Sequence, residues 1–274
     1  MTVTNAVETT MIWGTVSGAS MVGMVISLLL SVVLPIFLGI FIYKKTKAWV
    51  PAFFIGCGIF VGFAMILEQI CHAIVLTVTG SAIRDNIWLY AIYGGLAAAL
   101  FEECGRWIAM KFCLKKHLTR ENALMYGAGH GGIEAFLILG MSSMSNLLTA
   151  AMINGGLMEK TMTALEPAQQ EVTYHQLSVL WTTPAYQFYL APVERISAIA
   201  LQIALSILVY SAVKTGRKLQ LAAAFGLHFA VDFLTVICAA AIPTWALELG
   251  LLLVVAVICV VVYQLVYVQM AEKK

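Results

Sequence analysis

The chain has 274 residues, of which 61% are hydrophobic and 11% are charged, and its formal net charge is +2. A soluble domain carries about 25% charged residues, so this composition excludes an ordinary soluble globular protein and indicates a membrane protein. The apolar runs are long and continuous, whereas a membrane β-barrel shows alternating stretches of about ten residues, so spanning helices are favoured.

A helix needs about 20 mostly apolar residues to cross a membrane. We predict an all-α fold, a polytopic transmembrane helical bundle with about seven spans that forms a single transmembrane domain over residues 1–274. The predicted spans are 20–43, 49–79, 87–113, 121–150, 187–213, 219–242 and 245–270, with an external loop at about 152–186. We therefore expect a multi-pass protein of the cell membrane whose surroundings are the lipid bilayer, and no nucleic-acid partner.

The distribution of lysine and arginine predicts the orientation, because cytoplasmic connections carry an excess of positive charge. Basic residues follow the first, third and fifth spans and close the chain: Lys44, Lys45, Lys47, Lys115, Lys116, Arg120, Lys214, Arg217, Lys218, Lys273 and Lys274. The opposite side holds only Arg84, Lys160 and Arg195. The N-terminus is therefore predicted outside and the C-terminus in the cytoplasm.

Several ionisable residues fall inside the predicted spans, where a charged side chain costs several kcal/mol and marks a functional candidate. The third span contains FEECGRW, the fourth GHGGIEAF and the sixth GLHFAVDF. These segments supply seven candidate site residues: Glu102, Glu103, Arg106, His130, Glu134, His228 and Asp232. The spacing i, i+4 places His130 with Glu134, and His228 with Asp232, on one side of each helix.

The depth of these residues predicts that they meet. Glu102 and Glu103 lie about ten residues before the cytoplasmic end of the third span, and His130 and His228 lie about ten residues after the cytoplasmic starts of theirs. At a rise of 1.5 Å per residue, all of them lie roughly 15 Å below the cytoplasmic surface. Three helices therefore bring carboxylates and imidazoles to one level of the membrane.

Two imidazoles and a carboxylate form an ordinary ligand set for catalytic zinc, and a second carboxylate can act as general base on a water. Glu134 and Asp232 are placed to orient the imidazoles, and Arg106 to keep a buried carboxylate ionised. Two other interpretations stay open: a structural ion-pair network between helices, and a proton- or ion-coupled membrane transporter.

The order Glu-Glu-x-x-Arg, then a helix with His and Glu, then His-x-x-x-Asp resembles the intramembrane peptidases that include the CAAX prenyl proteases, the bacteriocin-processing (CPBP) enzymes and the PrsW-type proteases. The strings FEECGRW, GHGGIEA and HFAVDF are most similar to the YhfC group. Two positions differ from the CAAX pattern: Arg106 comes one residue earlier, and HGGIE replaces Phe-x-x-x-His. Both differences argue against a prenylated substrate.

The resemblance implies a peptidase that cleaves a membrane-embedded or membrane-associated protein or peptide in the cytoplasmic half of the membrane. It implies that Glu102 or Glu103 activates the water, and that His130 and His228 bind a metal or stabilise the transition state. The predicted site thus comprises catalytic Glu102, Glu103, Arg106, Glu134 and Asp232, with zinc held by His130, His228 and Glu103. A relative that binds membrane proteins without cleaving them is the remaining alternative.

Overall fold

A computed structural model describes residues 11–270, and no β-strand occurs in that range. Within residues 11–270, seven helices are long and apolar enough to cross a membrane: α1 Gly18–Thr46, α2 Pro51–Thr79, α3 Ile87–Cys113, α4 Arg120–Asn154, α7 Ala185–Thr215, α8 Lys218–Ala239 and α9 Thr244–Val268. Two shorter helices, α5 Leu157–Met162 and α6 Pro167–Thr182, lie in the connection between α4 and α7. The prediction of an all-α protein with seven candidate spans is confirmed, and the protein is a multi-pass membrane protein.

The helix ends follow from residues that satisfy free backbone groups. Asn86 caps α3 by accepting hydrogen bonds from the backbone N–H groups of Trp88 and Leu89, and Thr119 caps α4 at Asn122 N. Gly216, with a φ of 73°, ends α7 in the left-handed conformation that glycine adopts without a steric penalty. These caps fix where α3, α4 and α7 begin or end.

Helix α7 is the centre of the bundle. In its most apolar window 72% of the residues are buried, whereas the value for the other six long helices lies between 17% and 33%. The surfaces of α1, α2 and α9 expose large apolar side chains, among them Phe37, Phe54 and Leu253. An apolar outer surface around a buried central helix is the arrangement expected of a protein surrounded by lipid.

Helices α2 and α4 approach each other closely because glycines face the contact. A Cβ atom on Gly129 would lie 1.9 Å from the carbonyl oxygen of Phe53, and one on Gly56 would lie 2.2 Å from the carbonyl oxygen of Tyr126. No side chain fits at those distances, so both positions require glycine. The close contact holds the turn of α4 that carries His130.

The long helices alternate in direction, which defines two ends of the bundle. The connections 46–51, 113–120 and 215–218 lie at one end, here called the lysine-rich end, and 79–87, 154–185 and 239–244 lie at the opposite end. The sequence predicts that the lysine-rich end is cytoplasmic.

Candidate functional site

The three polar motifs of α3, α4 and α8 meet in the interior. Glu102 Oε2 lies 2.9 Å from His130 Nε2 and 3.9 Å from His228 Nε2. His228 Nδ1 lies 2.8 Å from Glu103 Oε1, and its Nε2 lies 3.5 Å from Asp232 Oδ2. The longest of these contacts, between Glu102 and His228, connects residues 126 positions apart in the chain, and the meeting of the three motifs agrees with their shared predicted depth.

The two adjacent glutamates of α3 point in different directions. Glu102 lines a cavity, whereas the Glu103 carboxylate contacts His228 Nδ1 and Glu103 is only 2% exposed. Arg106 lies between them, with Nη2 3.6 Å from Glu103 Oε1 and 4.0 Å from Glu102 Oε2. Arg106 is completely buried, so its charge is available to compensate both carboxylates.

Gln202 of α7 joins the motifs, although the sequence analysis did not identify it. Its Nε2 donates hydrogen bonds of 2.8 Å to Glu102 Oε2 and to Glu134 Oε2. Its Oε1 accepts a hydrogen bond from Arg106 Nη2, which fixes the orientation of the amide. The sequence contains one signal that could have identified Gln202, which is a polar residue in an otherwise apolar run. It lies about 13 residues before the lysine-rich end of α7, so its depth in the membrane is close to that of the other motifs.

Arg195 is a second residue whose role the sequence analysis missed. The sequence places it on the side opposite the lysine-rich connections, at the outer end of the fifth predicted span, but it lies about three turns inside α7. Its Nη1 donates a 3.1 Å hydrogen bond to Glu134 Oε1, and its guanidinium also binds the carboxylate of Glu194. An arginine between two carboxylates, with a side chain only 13% exposed, lowers the negative charge of the site.

The cavity beside this cluster has a volume of about 360 Å³, within the usual range for ligand pockets. Its polar wall includes Glu102, Glu134, Arg195, Gln202, His228 and Asp232. The reactive side chains therefore border a space that can hold part of a substrate.

The donors of the cluster fit a zinc ion. One donor atom each from Glu102, His130 and Glu134 lies within 4.8 Å of the other two. Zinc binds carboxylate oxygen and imidazole nitrogen at about 2.0–2.2 Å, so two ligand atoms on one ion are at most about 4.4 Å apart. Small side-chain rotations close that difference, and the mixed carboxylate and imidazole set is one that zinc accepts.

The predicted ligands are arranged differently around this group. His130 belongs to this three-donor group. His228 does not, and its Nε2 lies 3.9 Å from Glu102 Oε2. Glu103 contacts the Nδ1 atom of His228. If Nδ1 carries the proton and donates it to Glu103, the lone pair of Nε2 faces Glu102 and Asp232. Glu103 is thus placed to orient an imidazole.

Comparison with known proteins gives one family and one relative. Residues 30–259 match the model described as "YhfC intramembrane metalloprotease". The chain is 41% identical over 222 residues to a Bacillus subtilis (strain 168) protein named "Uncharacterized membrane protein YhfC", and the match covers 78% of this chain and 83% of the relative. No solved structure matches the chain.

Proposed function

The chain belongs to the YhfC intramembrane metalloprotease family, and from this premise we propose that it hydrolyses a peptide bond of a membrane-embedded or membrane-associated protein with a water activated by a glutamate. The observation that supports the proposal is that Glu102 both lines the cavity and contacts the buried His130. A general base must lie within hydrogen-bond reach of the water that it deprotonates. Glu102, unlike Glu103, faces space in which a water and a peptide bond can lie.

We assign the metal site to His130 and Glu134, with His228 as a further donor from the set that the sequence predicts. When bound, zinc supplies positive charge that polarises the scissile carbonyl. Of the close donors, Glu134 is held by Arg195 and Gln202, which fixes both of its oxygens. Glu102 is left to accept the proton.

The other residues prepare Glu102 and His228 for these roles. Arg106 and Gln202 keep Glu102 ionised and in place, since they provide positive charge and an N–H donor inside the protein. Glu103 fixes the ring of His228, whose Nε2 then faces Asp232. Glu102, which has taken the proton from the water, is placed to return it to the leaving amine, and Asp232 lies 3.5 Å from His228 Nε2, where it orients that imidazole.

The test compares Glu102→Gln with the unaltered protein in membranes that contain their natural proteins. Glutamine keeps the shape of the Glu102 side chain but cannot act as the base. Cleavage should therefore fall by about 10²–10⁴-fold, measured as the number of new N-termini by mass spectrometry. Glu121→Gln is the control, because the Glu121 carboxylate pairs with Arg120 at the lysine-rich end, away from the site. Equal cleavage by Glu102→Gln and the unaltered protein, with normal folding of both, would contradict the proposal.

A further inference from the structure

The cavity extends from the site in one direction only. On α3 its lining residues, such as Tyr90 and Gly94, precede Glu102, and on α8 Thr235 and Val236 follow His228. Because α3 and α8 run in opposite directions, both sets lie toward the end opposite the lysine-rich end. The lining residues of α4 and α7 fall on the same side of the cluster.

In the other direction the bundle is closed. Just beyond the cluster toward the lysine-rich end lie Arg106 and Met110 of α3, Tyr126 of α4, Leu205 of α7 and Ala224 of α8, and each has an exposed fraction of 0%. Close-packed side chains of this kind leave no room for a peptide. A substrate cannot reach Glu102 from the lysine-rich end without displacing this layer.

The cavity continues laterally into an apolar groove between α8 and α9. The groove has a volume of about 220 Å³ and shares Val231, Thr235 and Leu251 with the cavity. Leu234 and Val254, also in the groove, are about half exposed on the apolar outer surface. The two spaces therefore form one path from the lipid-facing side of α8 and α9 to the carboxylates.

We propose that an apolar segment of the substrate enters laterally between α8 and α9, in the half of the membrane away from the lysine-rich end. The residues that line the two spaces indicate the occupant. The groove is apolar and faces lipid, so it suits an apolar segment, whereas the polar groups assigned to bind and cleave a peptide bond line the adjoining cavity. The inference rests on the proposed peptidase function for its substrate class. The path itself is argued from the shape of the protein alone.

A photo-crosslinking experiment tests the path without requiring cleavage. A photoreactive phenylalanine derivative replaces Gly250 in the groove or, as the control, Gly58 on α2. Both are exposed helix glycines, and a Cβ atom on either meets nothing within 4 Å. The full-length protein is placed in vesicles with a fluorescent single-span peptide of leucine and alanine. We expect several-fold more crosslinked peptide at position 250, and equal yields at both positions would overturn the proposal.

A cysteine-labelling experiment tests the direction. In a full-length variant without its six cysteines, Thr235→Cys lies on the path and Ala224→Cys lies in the closed layer of the same helix. A maleimide that dissolves in the bilayer should label position 235 several-fold more than position 224, because position 235 is reached from the lipid through the groove. Equal labelling of the two positions, or more labelling of position 224, would overturn the proposal. Neither experiment depends on hydrolysis, so a failure of the path is distinguishable from a failure of the peptidase function.

Discussion

At the scale of single residues, the ligand set determines whether metal is retained. In the proposed metal site His130 supplies an imidazole nitrogen beside Glu134. Replacing His130 by alanine removes the nitrogen donor, so we expect near-stoichiometric zinc in the unaltered protein and its loss in His130→Ala, measured by mass spectrometry after purification without chelators.

His72→Ala provides the control for the zinc measurement, because His72 is a histidine of α2 that contacts Glu68 and Tyr93 outside the site. It should retain the metal of the unaltered protein. Zinc that remained bound after His130→Ala would contradict the assignment of this site.

Gln202 should affect stability and metal binding together. Gln202→Leu keeps a similar volume but removes the donor shared by Glu102 and Glu134 and the acceptor for Arg106. Buried polar groups left without partners cost about 1–3 kcal/mol each, and altered support of ligands weakens metal affinity by about 10–100-fold. We expect a lower unfolding temperature in detergent and weaker zinc binding by titration.

Ser206→Ala on the same helix is the comparison for Gln202→Leu. It removes only the 2.7 Å hydrogen bond from Ser206 Oγ to the carbonyl oxygen of Gln202, and its zinc affinity should stay unchanged. A zinc affinity of Gln202→Leu equal to that of Ser206→Ala would rule out support of the ligands by the amide.

The residues that the sequence did not reveal were hidden for a physical reason. Charged groups in an apolar run stand out because their burial is costly, so FEECGRW, GHGGIEAF and GLHFAVDF were recognisable. Gln202 carries no charge, and the different directions of Glu102 and Glu103 depend on how α3 packs against α7 and α8. Adjacent residues of a helix differ by about 100° in direction, and only packing decides which of them faces the cavity.

At the scale of helices, the contact of α2 with α4 is the element that positions His130. Gly129→Ala places a Cβ atom 1.9 Å from the carbonyl oxygen of Phe53, which is backbone and cannot move aside as a side chain does. Overpacking of this kind costs about 1–3 kcal/mol or more. We expect a lower unfolding temperature and reduced zinc content, because the shift moves the neighbouring His130.

Gly58→Ala is the matched change on α2, where an added Cβ meets nothing within 4 Å. Alanine favours a helix over glycine by about 1 kcal/mol, so the unfolding temperature of this variant should be equal or higher. A loss of stability as large as that of Gly129→Ala would show that the two glycines do not differ in the way the packing requires.

Hydropathy made the helices predictable, whereas depth within the membrane was only partly predictable. Long apolar runs define spans without tertiary information, and seven candidate spans were found. The sequence places Arg195 on the side opposite the lysine-rich connections, at the outer end of the fifth predicted span. Its pairing with Glu134 and Glu194 stabilises it inside the bundle, and such a partner is visible only after the helices are assembled.

At the scale of the whole molecule, the remaining prediction is the orientation, which decides the side from which the site opens. Nine lysines and arginines of the described residues lie at or beyond the lysine-rich ends of the spans, from Lys44 to Lys218, and Lys273 and Lys274 follow in the sequence outside the described residues. This asymmetry predicts a cytoplasmic C-terminus. Alkaline phosphatase, which is active only outside the cytoplasm, should be active when inserted after Arg84 and inactive after Lys116. Green fluorescent protein fused after Lys274 should be fluorescent. The reverse pattern would invert the orientation, and the cavity would then open toward the cytoplasmic half of the membrane, with every contact of the site unchanged.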